Sequence, residues 1–221
     1  MKSNTIQTQS IENFKFYALI MLSMLFVTLK LTGNPLFFRY TVINIPLINY
    51  SYKCTCTVFE FPIIYIINDI ITVFAGKKFA AKLVVFGMIC DGLSSYFITT
   101  SENMFSSPDK ILPFTYMSTF FYHGVLGSLI ANIGELLIFS YLLKKLNSFL
   151  ISTTLSSTII IFIHNVITDY SVMKHDPEGV SIFFNNFLSE IFIVFIYTAA
   201  IVLIAKIIKL KYLLVKNKSI A

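Results

Sequence analysis

The chain has 221 residues and a mass of 25.2 kDa; 56% of the residues are hydrophobic and 13% are charged. Soluble globular domains contain about 45–50% apolar and about 25% charged residues, so this composition excludes an ordinary soluble enzyme. The net charge of +6 indicates membrane topology and not a nucleic-acid-binding surface, because basic residues collect in the cytoplasmic loops of membrane proteins.

Six apolar runs, punctuated by Gly, Pro or Lys, predict transmembrane helices. In chain order they cover approximately 14–32, 57–75, 79–98, 118–142, 149–168 and 184–206. Each is close to the about 20 residues that cross a bilayer. The connections between them are too short to hold a soluble domain. The sequence therefore predicts an all-α integral membrane protein, with residues 1–221 forming one domain, a single bundle of six transmembrane helices.

The basic residues predict the orientation of this bundle. With six spans both termini lie on one side of the membrane, together with the turns near 76–78 and 144–148. Twelve of the 17 basic residues fall on that side. The positive-inside rule then places the N- and C-termini in the cytoplasm. The other five were assigned to the opposite side: Lys30, Arg39, Lys53, Lys110 and Lys174.

Acidic residues inside the spans are the most informative feature of the sequence. Asp69, Asp91 and Glu135 lie well inside the second, third and fourth spans. Three further acids lie nearer the outer ends of the second, fifth and sixth spans: Glu60, Asp169 and Glu190. A charge at the bilayer centre costs at least about 2.5–3.5 kcal/mol, so such groups face protein or a water-filled cavity. Each acid alone is equally well explained by packing, but the set predicts a polar path or binding cavity.

Carboxamides accompany these acids at helical spacing. Ser128, Asn132 and Glu135 share one helix face, because they are spaced i, i+4 and i+7. Carboxylates and carboxamides together can satisfy the donors and acceptors of a polar heterocycle. The predicted substrate-binding residues are Asn68, Asp69, Asn132, Glu135 and Asn165.

The excess of acids favours a cationic group on the ligand, or protons as coupling ions. The proton-coupling candidates are Asp69, Asp91, Glu135 and Glu190. On the fourth span, a stripe of small residues predicts close helix packing; it consists of Gly124, Gly127, Ser128 and Ala131.

Signals for catalysis are sparse. The sequence has no Gly-rich phosphate-binding loop, so hydrolysis of ATP by this chain is not expected. Ser128 and His164 superficially resemble the pair of rhomboid intramembrane proteases, but Leu129 stands where those enzymes have Gly. The three cysteines lack metal-ligand spacing, so neither a metal nor a cofactor is expected. An intramembrane enzyme is the less favoured alternative.

The second span carries a specific pattern. Phe61-Pro62 opens it, Asn68-Asp69 and Thr72 follow, and Gly76 leads into a basic segment with Lys77, Lys78, Ala80, Ala81 and Lys82. This pattern resembles the signature of the queuosine-precursor transporters, also called the vitamin uptake transporter (VUT) family. Weaker similarities continue at 128–135 and 157–165. The sequence departs from the family pattern at several positions, among them Val73, Ile138, Asn165 and Glu190.

The resemblance implies a transporter of the bacterial inner (cytoplasmic) membrane. Its implied cargo is a nucleobase-like molecule, a 7-deazaguanine base or queuine, imported by alternating access. The alternative is a membrane-embedded substrate-binding subunit of an energy-coupling-factor vitamin transporter. The expected partners are this small molecule and the lipid bilayer, with no nucleic acid; a homo-oligomer and an energising partner both stay open.

Overall fold

The computed structural model describes residues 2–37, 40–45, 50–105, 117–170 and 178–207. About nine-tenths of it is helical. Within this part of the chain, six helices are long and apolar enough to cross a membrane, which confirms the helical membrane class and the six predicted spans. They are α1 (Lys2–Phe37), α2 (Phe61–Ala75), α3 (Lys77–Phe105), α4 (Met117–Leu146), α5 (Phe149–Asn165) and α6 (Gly179–Ile207).

A β-hairpin lies between α1 and α2, in a segment that the sequence analysis treated as a plain connection. Strands β1 (Tyr40–Ile45) and β2 (Tyr50–Thr55) pair antiparallel, with Tyr40 opposite Thr55. A 3-10 turn at Cys56–Phe59 joins the hairpin to α2. Both strands are rich in β-branched and aromatic residues, which is a strand signal. A search for apolar runs of transmembrane length passes over strands of six residues.

Two tight turns connect consecutive helices. Gly76 joins α2 to α3 with φ 80°, and Asn147 joins α4 to α5 with φ 53°. This left-handed region suits Gly, which has no Cβ, and Asn tolerates it better than most residues do. The side chain of Ser148 then caps α5 by accepting a hydrogen bond from the Ile151 amide.

The side chains are distributed as in a membrane protein. Large apolar side chains face outward on α6, where Phe192 is 65% exposed and Leu203 is 59% exposed. Polar and charged side chains are buried between the helices, with Asp69 and Glu135 fully covered. A soluble protein of this size would show the reverse pattern. The exposed apolar surface is therefore suited to contact with lipid. The buried polar side chains are the candidates for a functional site.

Helix α4 packs against three other helices: α2, α3 and α5. All four members of its small-residue stripe are buried. At Gly127 an added Cβ would lie 2.8 Å from Thr168 Cγ2 and 3.0 Å from Ile167 Cγ2. These two residues belong to a π-helical turn, Val166–Tyr170, that follows α5. The glycine therefore permits the close approach of α4 to this turn, as the stripe predicted.

We expect Gly127→Val to destabilise the protein by about 1–3 kcal/mol, because the added carbons overpack this contact. The measurement is thermal unfolding of the purified protein in detergent. Gly92→Val on α3 is the matched control, since a Cβ at Gly92 meets no atom within 4 Å. Equal losses of stability in the two variants would contradict the packing role of Gly127.

Candidate functional site

Asp69 of α2 and Glu135 of α4 form the centre of a buried polar group. Both side chains are fully buried. The Asp69 carboxyl lies within interaction range of the Glu135 carboxyl and of the Thr153 hydroxyl on α5. Ser156 and Ser157 of α5 each donate a hydrogen bond of 2.8 Å to Glu135 Oε1. Three helices therefore meet at one pair of carboxyls.

Two amides adjoin this pair. Asn68 Nδ2 donates to the backbone carbonyl of Asn132 at 3.4 Å, and Asn132 Nδ2 donates to the carbonyl of Ser128 at 2.7 Å. Because a carbonyl accepts but cannot donate, these contacts fix which end of each amide is nitrogen. The two amide oxygens are fully buried and have no hydrogen-bond partner among the described residues.

The α5 hydroxyls are functional candidates that the sequence analysis did not select. Ser152, Thr153, Ser156 and Ser157 are all fully buried. Their spacing of i, i+1, i+4 and i+5 puts them on one face of the helix. This spacing can be recognised in the sequence, and it could have identified the four residues as site candidates. Helix α5 approaches α4 closely at Gly134, where an added Cβ would lie 2.7 Å from Ile160 Cδ1.

A second buried group connects α4, α5 and α6. The Ser128 hydroxyl lies 3.4 Å from His164 Nε2, and His164 Nδ1 lies 3.3 Å from Asn165 Oδ1. Asn165 Nδ2 donates to Glu190 Oε2 at 2.9 Å. Since the Asn165 oxygen accepts, His164 carries its proton on Nδ1 and accepts from Ser128 on Nε2. All three bonds thus run in one direction, towards Glu190.

The hairpin is fastened to α6 beside this second group. The amide N–H of Thr55 donates to Asn186 Oδ1 at 2.9 Å, and the hydroxyls of Tyr52 and Ser189 lie 2.9 Å apart. Asn185 Nδ2 donates to the carbonyl of Lys53 at 3.0 Å. All three contacts join β2 to α6.

A third group surrounds Lys30 of α1. Lys30 lies near the end of the first span, inside the predicted range 14–32, and its side chain is buried, with 5% exposure. It interacts electrostatically with Asp91 and Glu60, both buried. Thr32 donates a hydrogen bond to Glu60. A lysine one helical turn or less from a span end can turn inward when acids on neighbouring helices neutralise it.

The structure therefore divides the predicted site residues among three groups. Asn68, Asp69, Asn132 and Glu135 lie together, as predicted for one binding site. Asn165 lies instead with Glu190 in the second group, and Asp91 lies in the third with Lys30. The side-chain amide of Asn132 donates to the backbone carbonyl of Ser128, whose hydroxyl belongs to the second group, and this contact links the first group to the second. The side chain of Asp169 lies outside the described residues.

Among the described residues, no group of three or more His, Cys, Asp and Glu side chains is placed to hold a metal ion. The three cysteines are free thiols. Cys54 of β2 is fully buried, whereas Cys56 is partly exposed. Burial, with smaller effects of Cys56 and Glu190, raises the pKa of the Cys54 thiol to about 11.

We expect Cys54 to resist alkylation at neutral pH. The thiolate is the reacting form, and a raised pKa keeps it scarce until the pH approaches about 11. Labelling with iodoacetamide, followed by mass spectrometry of the peptides, should modify Cys56 well before Cys54, and should modify both after denaturation. Equal labelling of the two thiols in the folded protein would show that the hairpin does not cover Cys54.

Comparisons of the sequence with protein-family models and curated proteins, and of the structure with solved structures, find no match.

Proposed function

We propose that the chain is a membrane transporter for a small polar heterocycle. The observation that carries this proposal is the group formed by Asn68, Asp69, Asn132 and Glu135, which is fully buried inside membrane-spanning helices. A packing device would satisfy its own polar atoms, because an unpartnered buried polar group costs about 1–3 kcal/mol. Here several acceptor oxygens lack donors among the described residues. A ligand rich in N–H groups supplies such donors.

The cargo that fits this proposal is a queuosine precursor, a 7-deazaguanine base or queuine. The resemblance of the second span to the queuosine-precursor transporters supports it. The chemistry of the site supports it too, since a guanine-like edge carries adjacent N–H donors that a carboxylate accepts well. Asn68 and Asn132 offer further acceptor oxygens.

The proposal includes the topology. The six spans form one bundle of a multi-pass inner-membrane protein, with the N- and C-termini in the cytoplasm. The excess of basic residues on that side supports this orientation. The hairpin then lies on the outer side, above the group that contains Glu190. Alternating access moves the helices around the central site, as in other secondary transporters.

The test is the queuosine content of tRNA in bacteria that cannot make the base. Expression of this chain should restore the modification at a low external concentration of precursor. A queuosine-precursor transporter expressed in the same cells is the positive control. If the control restores queuosine and this chain does not, the assigned cargo is wrong.

Reconstitution of the purified chain in liposomes tests transport separately from the identity of the cargo. Saturable uptake by the chain alone supports a self-sufficient transporter. Binding of the precursor without uptake contradicts that proposal and favours a substrate-binding subunit that needs an energising partner.

One observation favours a second candidate function, an intramembrane serine hydrolase. Ser128, His164 and Asn165 are arranged as nucleophile, base and orienting group, with separations of 3.4 Å and 3.3 Å. A fluorophosphonate probe should leave Ser128 unlabelled if the chain is a transporter. Labelling that disappears in Ser128→Ala would instead establish a reactive serine.

A further inference from the structure

The group between α2, α4 and α5 contains more acceptors than donors. Five of its oxygens have no hydrogen-bond partner among the described residues: Asp69 Oδ1 and Oδ2, Glu135 Oε2, Asn68 Oδ1 and Asn132 Oδ1. The hydroxyls of Ser156 and Ser157 both donate to the remaining oxygen, Glu135 Oε1. The buried hydroxyls of Ser152 and Thr153 on α5 also lack partners among the described residues and are the further donors of the group, Thr153 within interaction range of Asp69. The five acceptors nevertheless outnumber these two donors.

The amide oxygens are evidence independent of the carboxylates. An asparagine in an acidic site would relieve repulsion by pointing its nitrogen at a carboxylate. Asn68 and Asn132 instead commit their nitrogens to backbone carbonyls. That choice leaves both oxygens unpartnered and fully buried in the contact between α2 and α4. Two carbonyl-type oxygens kept beside two carboxylates form a donor set for a cation.

Within the part of the chain that the structure describes, no basic side chain neutralises this group. Neither Asp69 nor Glu135 forms an ion pair with a Lys, Arg or His of the described residues. Lys30, the buried lysine of α1, interacts with Asp91 and Glu60 in a different group. The two carboxyls lie within interaction range of each other, so they either share a proton or hold a cation between them. A shared proton leaves the two amide oxygens without a partner, whereas a bound cation accounts for the carboxylate and the amide oxygens together.

We infer that these oxygens of Asn68, Asp69, Asn132 and Glu135 form a sodium-binding site. Carboxylate and carbonyl oxygens are the ligands that hard cations take. The full burial of all four residues fits an ion without its water shell, whereas Mg²⁺ keeps several waters. In the proposed transporter this ion is the coupling ion: it binds some of these oxygens, partly neutralises the carboxylates and leaves the other oxygens to accept from the cargo. Only that coupling role rests on the proposed function.

The test measures ion binding without measuring transport. The purified chain, with the partly exposed Cys56 and Cys90 replaced by Ser, is heated in detergent with a dye that fluoresces on reaction with thiols, so that exposure of the buried Cys54 reports unfolding. Sodium chloride replaces choline chloride at constant ionic strength. Each tenfold rise in sodium above its Kd should raise Tm by on the order of 3 °C. Potassium chloride and calcium chloride, tested in the same way, should have smaller effects.

Two variants assign the effect to the site. Asp69→Asn, which has nearly the same shape as the natural residue, and Asn132→Ala should each abolish the rise in Tm. Ser140→Ala is the matched control on α4, because the Ser140 hydroxyl is buried but, among the described residues, bonds only to the Leu136 carbonyl of its own helix. That variant should keep the full response to sodium.

Three results would overturn the inference: no rise in Tm with sodium, a rise that survives in Asp69→Asn, or a larger rise with calcium. These results are distinguishable from failure of the proposed function. Saturable uptake of the precursor in sodium-free liposomes, together with no sodium effect on Tm, would retain the transporter and eliminate the sodium site.

Discussion

Replacing Asp69 with Asn is expected to lower uptake of the precursor by roughly 10- to 100-fold. A hydrogen bond to a charged group contributes about 1.5–3 kcal/mol, and each 1.4 kcal/mol or so changes an equilibrium constant about tenfold. Asp69 is fully buried, and neither of its carboxylate oxygens accepts a hydrogen bond of regular geometry from the described residues, although the Thr153 hydroxyl lies within interaction range. The substitution keeps the shape of the side chain, so the fold and the insertion into the membrane should survive.

The measurement is initial uptake in liposomes, normalised to the amount of inserted protein. Glu178→Gln is the matched control, because it also converts an acid to an amide but at an exposed position, where Glu178 pairs with Lys53 at 2.9 Å. Pairs of this kind contribute little to stability. Uptake by Asp69→Asn at the level of Glu178→Gln would remove Asp69 from the site.

The positions of the spans could be predicted from the sequence, because the bilayer fixes both the length and the polarity of a crossing helix. The helix bounds differ from the prediction mainly at the ends. Helix α1 reaches back to Lys2 and on to Phe37, beyond the predicted 14–32. The membrane constrains only the apolar part of a helix, so hydropathy does not predict how far it extends into water.

The grouping of the buried acids could be predicted only in part. Asp69 and Glu135 were placed in one site and lie beside each other. Asp91 is also buried in a span, but it faces Lys30 on α1. The difference depends on how each helix is rotated and which neighbours it has, and sequence spacing within one helix does not contain that information.

The β-hairpin and the interaction of Lys30 with buried acids could not be predicted from the sequence, for a further reason. Both depend on contacts between residues far apart in the sequence, such as Thr55 with Asn186 and Lys30 with Asp91. Local patterns predict which residues are compatible with a strand or a span end. They do not predict that α6 offers an amide oxygen to β2.

Replacing Asn165 with Leu is expected to destabilise the protein by about 2–4 kcal/mol. Asn165 is fully buried and bonds on one side to His164 and on the other to Glu190. Leucine has a similar volume but neither donates nor accepts, so a ring N–H and a carboxylate oxygen each lose a partner. An unpartnered buried polar group costs about 1–3 kcal/mol, and more when it is charged. In a thermal melt the loss corresponds to roughly 5–15 °C.

Asn185→Leu provides the comparison, because Asn185 is only half-buried and donates to neutral groups, the Lys53 carbonyl at 3.0 Å and the Ser181 hydroxyl at 3.5 Å. Its loss should cost about 0.5–1.5 kcal/mol. A double-mutant cycle then tests whether the three hydrogen bonds that connect Ser128, His164, Asn165 and Glu190 act as a unit. If the bonds from Ser128 to Glu190 depend on one another, Ser128→Ala should cost less in the Asn165→Leu background than alone. Additive losses would show that the two bonds are independent packing contacts, and the single direction of the hydrogen bonds would then have no energetic consequence.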